Sequence, residues 1–380
     1  MLEPWHVPCS GDAMRDPALS SLLIFAGVAL SRCCAGAAVT PEFIYGMPKA
    51  ELHIHLEGSI DPEEYIGLVA RNNLQSAYGT AEAVRLRLRH ATNLDTFIEV
   101  YQEMLASMRT ERDFHDVALA CFEHLHAQHV VHVEMFFDPQ MHTTRGIPFS
   151  TVMEGIDSAR SEAEGRLGMT IGYIMCFNRN RTAASAMEIL EASKPWLPRI
   201  LGIGLDNNEE AGFPEKFKGI FARAGQLGLH RTAHCDVNQA HSVDHIWGCL
   251  QLLGVERIDH GVNVLDDPRL IETVKARRIG LTVCPTLLYT EIPGRLEFRA
   301  KAIKRMLDLG LLVTVNSDDP GIMRGLYVSD LMAKVQVAAQ LSRDDVVALA
   351  RNSFLISWIP DSERKLDLRM LDDYVASHPQ

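Results

Sequence analysis

From residue 50 onward, short apolar runs alternate with amphipathic stretches. The runs are 50–56, 130–137, 169–177, 200–205, 229–234, 257–260, 279–284 and 311–316, and they predict strands. Between them, 62–73, 150–166, 182–192, 215–227, 242–253, 268–276 and 296–308 repeat their apolar positions with the helical period. Eight strands, each followed by a helix, predict an α/β chain folded as a (β/α)8 TIM-type barrel. A doubly wound open sheet would show the same alternation and is the structural alternative. The first interval is much longer than the rest, so 80–128 predicts a helical insertion after strand 1, beside the barrel mouth. Residues 328–380 predict a helical C-terminal extension. With no internal repeat or linker in view, 45–380 reads as one domain.

Unusual polar residues recur at the ends of these runs. In a strand, side chains two apart share a face, so His53 and His55 point the same way while Leu52, Ile54 and Leu56 take the other side. Glu134 lies within the second run and Asp138 follows it; Asn178 and Arg179 follow the third. His234 closes the fifth, His260 the sixth, and Asn316, Ser317, Asp318 and Asp319 the eighth. In a barrel of this type, active sites collect at the C-terminal ends of the strands. His53, His55, His234 and Asp318 then offer three imidazoles and a carboxylate to one metal ion per chain. That donor set suits Zn, and Fe, Mn and Co accept the same ligands. Such an ion lowers the pKa of water from ~16 towards ~7. His260 is placed as the general base or electrostatic anchor. Asp318 and Asp319, being adjacent, can divide their work between metal and substrate. An Asx turn or helix cap before Pro320 is compatible with that division.

The net charge of −12 argues against binding a phosphate backbone, so no nucleic acid partner is expected. A small-molecule substrate, a nucleoside or base, remains open. No stretch of the body approaches the ~20 apolar residues of a membrane span. Residues 1–44 form an N-terminal extension. Its apolar run at 20–30, with Arg15 before it and small residues at 35–38, resembles a signal peptide starting at Met14, or an extra helix, or sequence upstream of a later start. The eight cysteines show no framework spacing and no Cys-x-x-Cys, which favours a reducing, cytoplasmic setting over export.

The motifs at 47–59 (Met-Pro-Lys-Ala-Glu-Leu-His-Ile-His-Leu-Glu-Gly-Ser), 202–209, 232–234, 257–261 (Arg-Ile-Asp-His-Gly) and 316–320 (Asn-Ser-Asp-Asp-Pro) resemble, in order, those of the adenosine deaminase family of the amidohydrolase superfamily. The resemblance covers residues 45 to 340. It implies one catalytic zinc held by His53, His55, His234 and Asp318. It implies that His260 orients and deprotonates water and that Asp319 hydrogen-bonds the purine ring. The reaction expected is hydrolytic removal of an exocyclic amine from a purine, releasing ammonia.

Three positions depart from the family. Val237 stands where the family carries the Glu that protonates a ring nitrogen. Asp236, Glu57 and Glu209 are the candidate replacements, Asp236 first. Asn207 occupies a glycine position whose backbone meets the purine, next to an unexpected Asp206. Glu57 replaces an Asp that binds ribose in adenosine-specific members. Glu57, Asn207 and Asp319 are therefore the expected substrate contacts, and the substrate is expected to be a modified purine or related aminated heterocycle. Hydrolysis of a different C–N bond is the alternative that loss of the acid leaves open.

Overall fold

The computed structural model of the chain describes residues 39–91, 94–209, 212–235, 239–285 and 294–379. The apolar run at 20–30 and both Asp236 and Val237 lie outside the described residues. A short helix α1 (Pro41–Gly46) leads into β1 (Lys49–His55). After a 3-10 turn (Glu57–Ser59) come four helices: α2 (Pro62–Arg71), α3 (Ala81–Arg89), α4 (Leu94–Leu105) and α5 (Glu111–Ala127). Strand and helix then alternate: β2 (Val130–Phe137), α6 (Pro139–Thr143), α7 (Phe149–Leu167), β3 (Thr170–Asn178), α8 (Ala183–Ala192), β4 (Ile200–Asp206), α9 (Phe213–Gln226) and β5 (His230–Cys235). The series continues with α10 (Ser242–Gly248), β6 (Arg257–His260), α11 (Pro268–Ala276), β7 (Gly280–Val283), α12 (Arg295–Asp308) and β8 (Leu312–Val315). It ends with α13 (Val328–Ala339), α14 (Arg343–Leu355) and α15 (Asp361–Ser377).

Each strand pairs in parallel with the next, in the order β1 to β8. Beyond β8 the chain bridges Asp318 to Ile54, bringing the sheet back to β1. There His55 N–H donates to the Asp318 carbonyl and Asp318 N–H to the His53 carbonyl, both at 2.9 Å. Lower in the seam, α14 satisfies the strand edges. Ser353 Oγ accepts from Ala50 N–H at 2.9 Å, and Asn352 Nδ2 donates to the Val313 carbonyl at 3.0 Å. Backbone groups that would otherwise be orphaned in the interior thus find partners on the C-terminal extension. The expected (β/α)8 barrel, with its insertion and extension, is what the chain forms.

Local signals explain the helix starts. Asp61 and Thr110 form capping boxes with Glu64 and Asp113, and Pro62 takes the first turn. The expected continuous helix over 242–253 changes type: α10 stops at Gly248 and a π-helical turn runs from Cys249 to Leu253. Glu134 also differs from its expected place at the rim. It lies deep in the barrel, where Arg257 Nη1 donates to its Oε2 at 2.6 Å and His132 Nε2 lies 3.2 Å from its Oε1. Burial alone would raise the Glu134 carboxyl, but the Arg257 guanidinium holds it down at about 2. Trp358 closes this layer, its ring 4.1 Å from the guanidinium carbon.

Removing one partner of such a pair strands the other in the interior. Arg257→Ala is expected to lower the unfolding free energy by about 3–5 kcal/mol, read from urea denaturation. A loss below ~1 kcal/mol would mean that the pair does not hold the barrel floor.

Candidate metal centre and cavity

β1 places His53 and His55 on its inner face, and both are buried. His234 lies one residue before the end of β5, and its Nε2 lies 3.1 Å from the Nε2 of both His53 and His55. Asp318 completes the group, with its Oδ1 3.4 Å from His53 Nε2 and 3.8 Å from His55 Nε2. The other ring nitrogens are held from behind. His53 Nδ1 faces the Thr282 carbonyl at 3.2 Å and Thr282 Oγ1 at 3.0 Å; His234 Nδ1 faces the Leu205 carbonyl at 2.9 Å. A carbonyl oxygen only accepts, so each of these Nδ1 atoms carries the proton and each Nε2 presents a lone pair. Ligand nitrogens around a tetrahedral ion at ~2.05 Å stand about 3.3 Å apart. The observed spacing therefore fits a shared divalent cation, and the donor chemistry fits as well.

The charges agree. Burial pushes the His234 imidazole well below its ordinary range, and the neighbouring His53 adds to the effect. Burial and His53 likewise lower His55. At His53 burial works downward, but the Asp318 carboxylate outweighs it and the net shift is upward. Asp318 is itself held well below the carboxylate range: burial opposes this, and the hydrogen bond from His53 overrides it. Two buried neutral imidazoles and an ionised carboxylate are a ligand set in the state that binds metal.

His260, at the end of β6, sets its ring 4.7 Å from that of His53 and 5.4 Å from that of His234. Burial keeps it neutral at physiological pH, against the pull of Asp318. His260 and Asp318 have φ values of +61° and +63°, and Asn207 has +67°. Left-handed backbone at non-glycine residues is strained, and here it clusters where the strands end. It also shows how Asn207 stands at a glycine position, since Asn tolerates this conformation best among residues with side chains.

A cavity of about 240 Å³ opens above the centre. Asp319, Asn207, Asp138 and Asp206 line it, and the insertion helix α4 supplies Phe97 and Tyr101 to its wall. Asp319 is pressed against the backbone of Gly58, where a Cβ would stand 1.8 Å from its Oδ1. Burial raises the Asp319 carboxyl well above its ordinary value, with Asp318, Glu57 and Asp206 adding to this. Two expected residues are placed differently. Glu57 is not on the cavity lining: its Oε1 accepts from Asp138 N–H at 3.0 Å and lies 2.8 Å from His142 Nε2. Glu209, one candidate acid, is turned to His245 Nδ1 at 2.6 Å instead of the cavity.

Three supporting residues carry no role in the sequence reading. Glu51 accepts from His53 N–H at 3.0 Å, from Asn316 Nδ2 at 2.7 Å and from Ser317 N–H at 3.1 Å, tying β1 to the segment that carries Asp318. Its position two before His53 on one strand face is the signal that would have found it. Asp259 accepts from Thr282 Oγ1 at 2.9 Å and Thr232 Oγ1 at 2.8 Å, fixing the threonine behind His53. Arg179, buried after β3, donates from Nε to the Asn207 carbonyl at 2.9 Å and from Nη1 to the His234 carbonyl.

The sequence model of the adenosine deaminase family matches residues 48–374. An uncharacterized deaminase of Schizosaccharomyces pombe is 41% identical over 340 residues, 89% of this chain and 98% of that protein. An adenine deaminase of Trichlorobacter lovleyi is 41% identical over 335 residues, 88% of this chain and 95% of that protein. Among solved structures, the adenine deaminase of Arthrobacter aurescens superposes with a TM-score of 0.80 at 34% identity, covering 87% of this chain and 99% of that one.

Gly58→Ala should force Asp319 off its seat. The expected loss is about 1–3 kcal/mol of stability, as for other insertions into packed sites, read from the denaturation midpoint. An unchanged midpoint would show that the approach of Asp319 to Gly58 is not required.

Proposed function

The chain belongs to the adenosine deaminase family, and from that premise we propose that it is a zinc-dependent hydrolytic deaminase of an aminated purine. The observation that carries the reading is the convergence of three imidazole Nε2 atoms, two of their distances being 3.1 Å, beside Asp318 and below a cavity lined by Asp319. His53, His55, His234 and Asp318 would hold the ion. Bound there, zinc would supply Lewis acidity and bring the pKa of water towards ~7. Adenine is the first substrate to try, because relatives about 40% identical over most of the chain carry that activity in their names. For the same reason hydrolysis of a different C–N bond is the less favoured reading.

The chain's own residues then have distinct tasks. Neutral His260 accepts a proton from the attacking water at an imidazole nitrogen. Asp319, its carboxyl kept protonated by burial and by Asp318, donates a hydrogen bond to a ring nitrogen of the purine. Asn207 contacts the ring edge from its strained turn. Attack at the amine-bearing carbon loads negative charge onto the adjacent ring nitrogen, which calls for an acid. Asp236, one residue beyond the described end of β5, is proposed for that transfer. The aromatic side chains of α4 exclude water from the cavity wall. The five free thiols among the described residues are all buried and suit a reducing compartment, and we place the protein in the cytoplasm. No helix among the described residues is long and apolar enough to cross a membrane.

Purified protein is expected to carry about one zinc per chain by elemental analysis. Chelation should lower its melting temperature, and added zinc should restore it. Protein that binds no divalent ion under any loading condition would remove the proposed centre. The loaded protein should release ammonia from adenine or a near relative, followed by a coupled assay; silence across adenine, adenosine and N6-methylated purines would count against the reaction. Asp236→Asn should cost on the order of 10²–10⁴ in kcat. Undiminished turnover across the pH range would take Asp236 out of the mechanism.

A further inference from the structure

Cys284 directly follows β7, and its thiol has no part in the steps above. Its Sγ, one ring nitrogen each of His53 and His260, and one carboxylate oxygen of Asp318 lie within 4.8 Å of one another, and all four side chains are buried. Other thiols are placed differently: Cys121 Sγ accepts from Ser59 Oγ at 3.3 Å, and Cys235 and Cys249 hold their sulfurs 3.8 Å apart. Cys284 Sγ meets the Thr282 carbonyl at 3.9 Å, a weak contact that a metal ion can replace. His260 and Asp318 line the cavity, so an ion entering from solvent meets them before the thiol.

His53 is already committed: its Nε2 faces His234 and Asp318, and its Nδ1 faces Thr282. His260, Cys284 and Asp318 remain as donors. A carboxylate has two oxygens and about four lone-pair directions, so Asp318 can serve two ions at once. An imidazole, a thiolate and a carboxylate together favour a thiophilic divalent ion, cadmium or a second zinc. We propose that His260, Cys284 and Asp318 form a second cation site beside the proposed zinc centre, and that filling it blocks turnover. The site shares Asp318 with that centre, and its effect on turnover rests on the deaminase reading. Filling it forms a sulfur–metal bond and breaks the S–H bond; the proton leaves to solvent and no electron is transferred. The same ion takes the His260 nitrogen that would accept a proton from the attacking water. Arg299 donates from Nη1 to the Cys284 carbonyl at 2.6 Å, and its charge opposes a second cation. The site therefore fills after the first centre and at higher metal concentration.

The test reads metal binding directly. Zinc-loaded full-length protein is titrated with cadmium while the ultraviolet thiolate-to-cadmium charge-transfer band is followed, and zinc and cadmium contents are measured after gel filtration. The first centre holds no sulfur, so cadmium that merely displaces zinc there gives no such band. The wild-type protein is expected to keep its zinc, gain a further cadmium and show the band. Cys284→Ala and Cys284→Ser, checked for folding by circular dichroism, should lose the Cys284 share of the band and still keep the first zinc. Even a partner behind a ligand is worth roughly 10–100-fold in metal affinity, so losing the ligand itself should weaken the second ion by at least about 10-fold. In ammonia assays both variants should keep their basal turnover and resist cadmium concentrations that stop the wild type. Cadmium uptake matched by zinc loss with no band in the wild type would overturn the site, and that comparison needs no variant. A band and affinity equal in the wild type and both variants would overturn the assignment to Cys284, and full turnover with the site filled would overturn the block. A chain that takes up no zinc would remove the first centre before any cadmium is added, and the band would still report on this site, so the two failures can be told apart.

Discussion

Three imidazole Nε2 atoms, that of His234 standing 3.1 Å from each of the other two, cannot be left alone in a low-dielectric interior. Either a proton or a cation must lie among them. The protein prepares for the second. It aims the Nδ1–H of His53 and of His234 at backbone carbonyls, which keeps both rings in one tautomer. Much of the polar interior follows from this demand. Thr282 stands behind His53 because Asp259 holds it, and Asp259 in turn takes a hydrogen bond from Thr232. Glu51 joins the strand carrying His53 and His55 to the segment carrying Asp318. A half-satisfied network of this kind would be worse than an apolar core, so nearly every member is bonded. The barrel interior therefore departs from packed layers of Val, Ile and Leu: below the centre it carries the Glu134–Arg257 pair and a Trp instead.

Parallel strands ending at one rim are what let scattered residues meet. The strands carry His53 and His55, His234 and His260 at or within two residues of their C-terminal ends, and Asp318 arrives three residues after β8 through its bridge to Ile54. The cost is local. His260, Asp318 and Asn207 sit in the left-handed region, where a side chain is strained by roughly 1–3 kcal/mol each. Such strain persists only where surroundings over-determine the backbone. At Asn207 that role falls to Arg179, and at Asp318 to paired hydrogen bonds with the backbone of β1.

The barrel was legible because its strands are buried on both faces and read as continuous apolar runs, and because caps such as Asp61 and Thr110 mark where helices start. The meeting of His53, His55 and His234 with Asp318 was legible because period two and the strand-end rule are local statements. The supports were not. Glu51, Asp259 and Arg179 act on carbonyls and side chains of other strands, and nothing in their own neighbourhood reveals which. The same limit applies to Glu57. Read beside the histidines it looks like a substrate contact; folded, its Oε1 is taken by His142 and by the backbone of Asp138. The π-helical turn after α10 was hidden because its apolar spacing serves an α-helix equally well.

The metal site and the cavity wall are controlled by different parts of the chain, and that separation matters for how substrate choice can change. The positions of the clustered imidazoles and Asp318 are set by barrel register, by Glu51 and by the Asp259 network, all beneath the rim. The wall is set by the turns beyond the strands: the Arg179-anchored segment at 206–209, Asp138 after β2, and the helical insertion. A substitution at 206–209 or Asp138 can alter the cavity wall without releasing these rings, because the Nδ1 atoms of His53 and His234 are held by Thr282 and by the Leu205 carbonyl. Asn207 illustrates this. It keeps the left-handed backbone that the family's glycine would adopt, adds an amide beside Asp206, and leaves His234 Nδ1 on the carbonyl of Leu205, two residues away. The side chains held by the strands and those held by the turns can thus change independently, the separation that lets sites be grafted onto one fold.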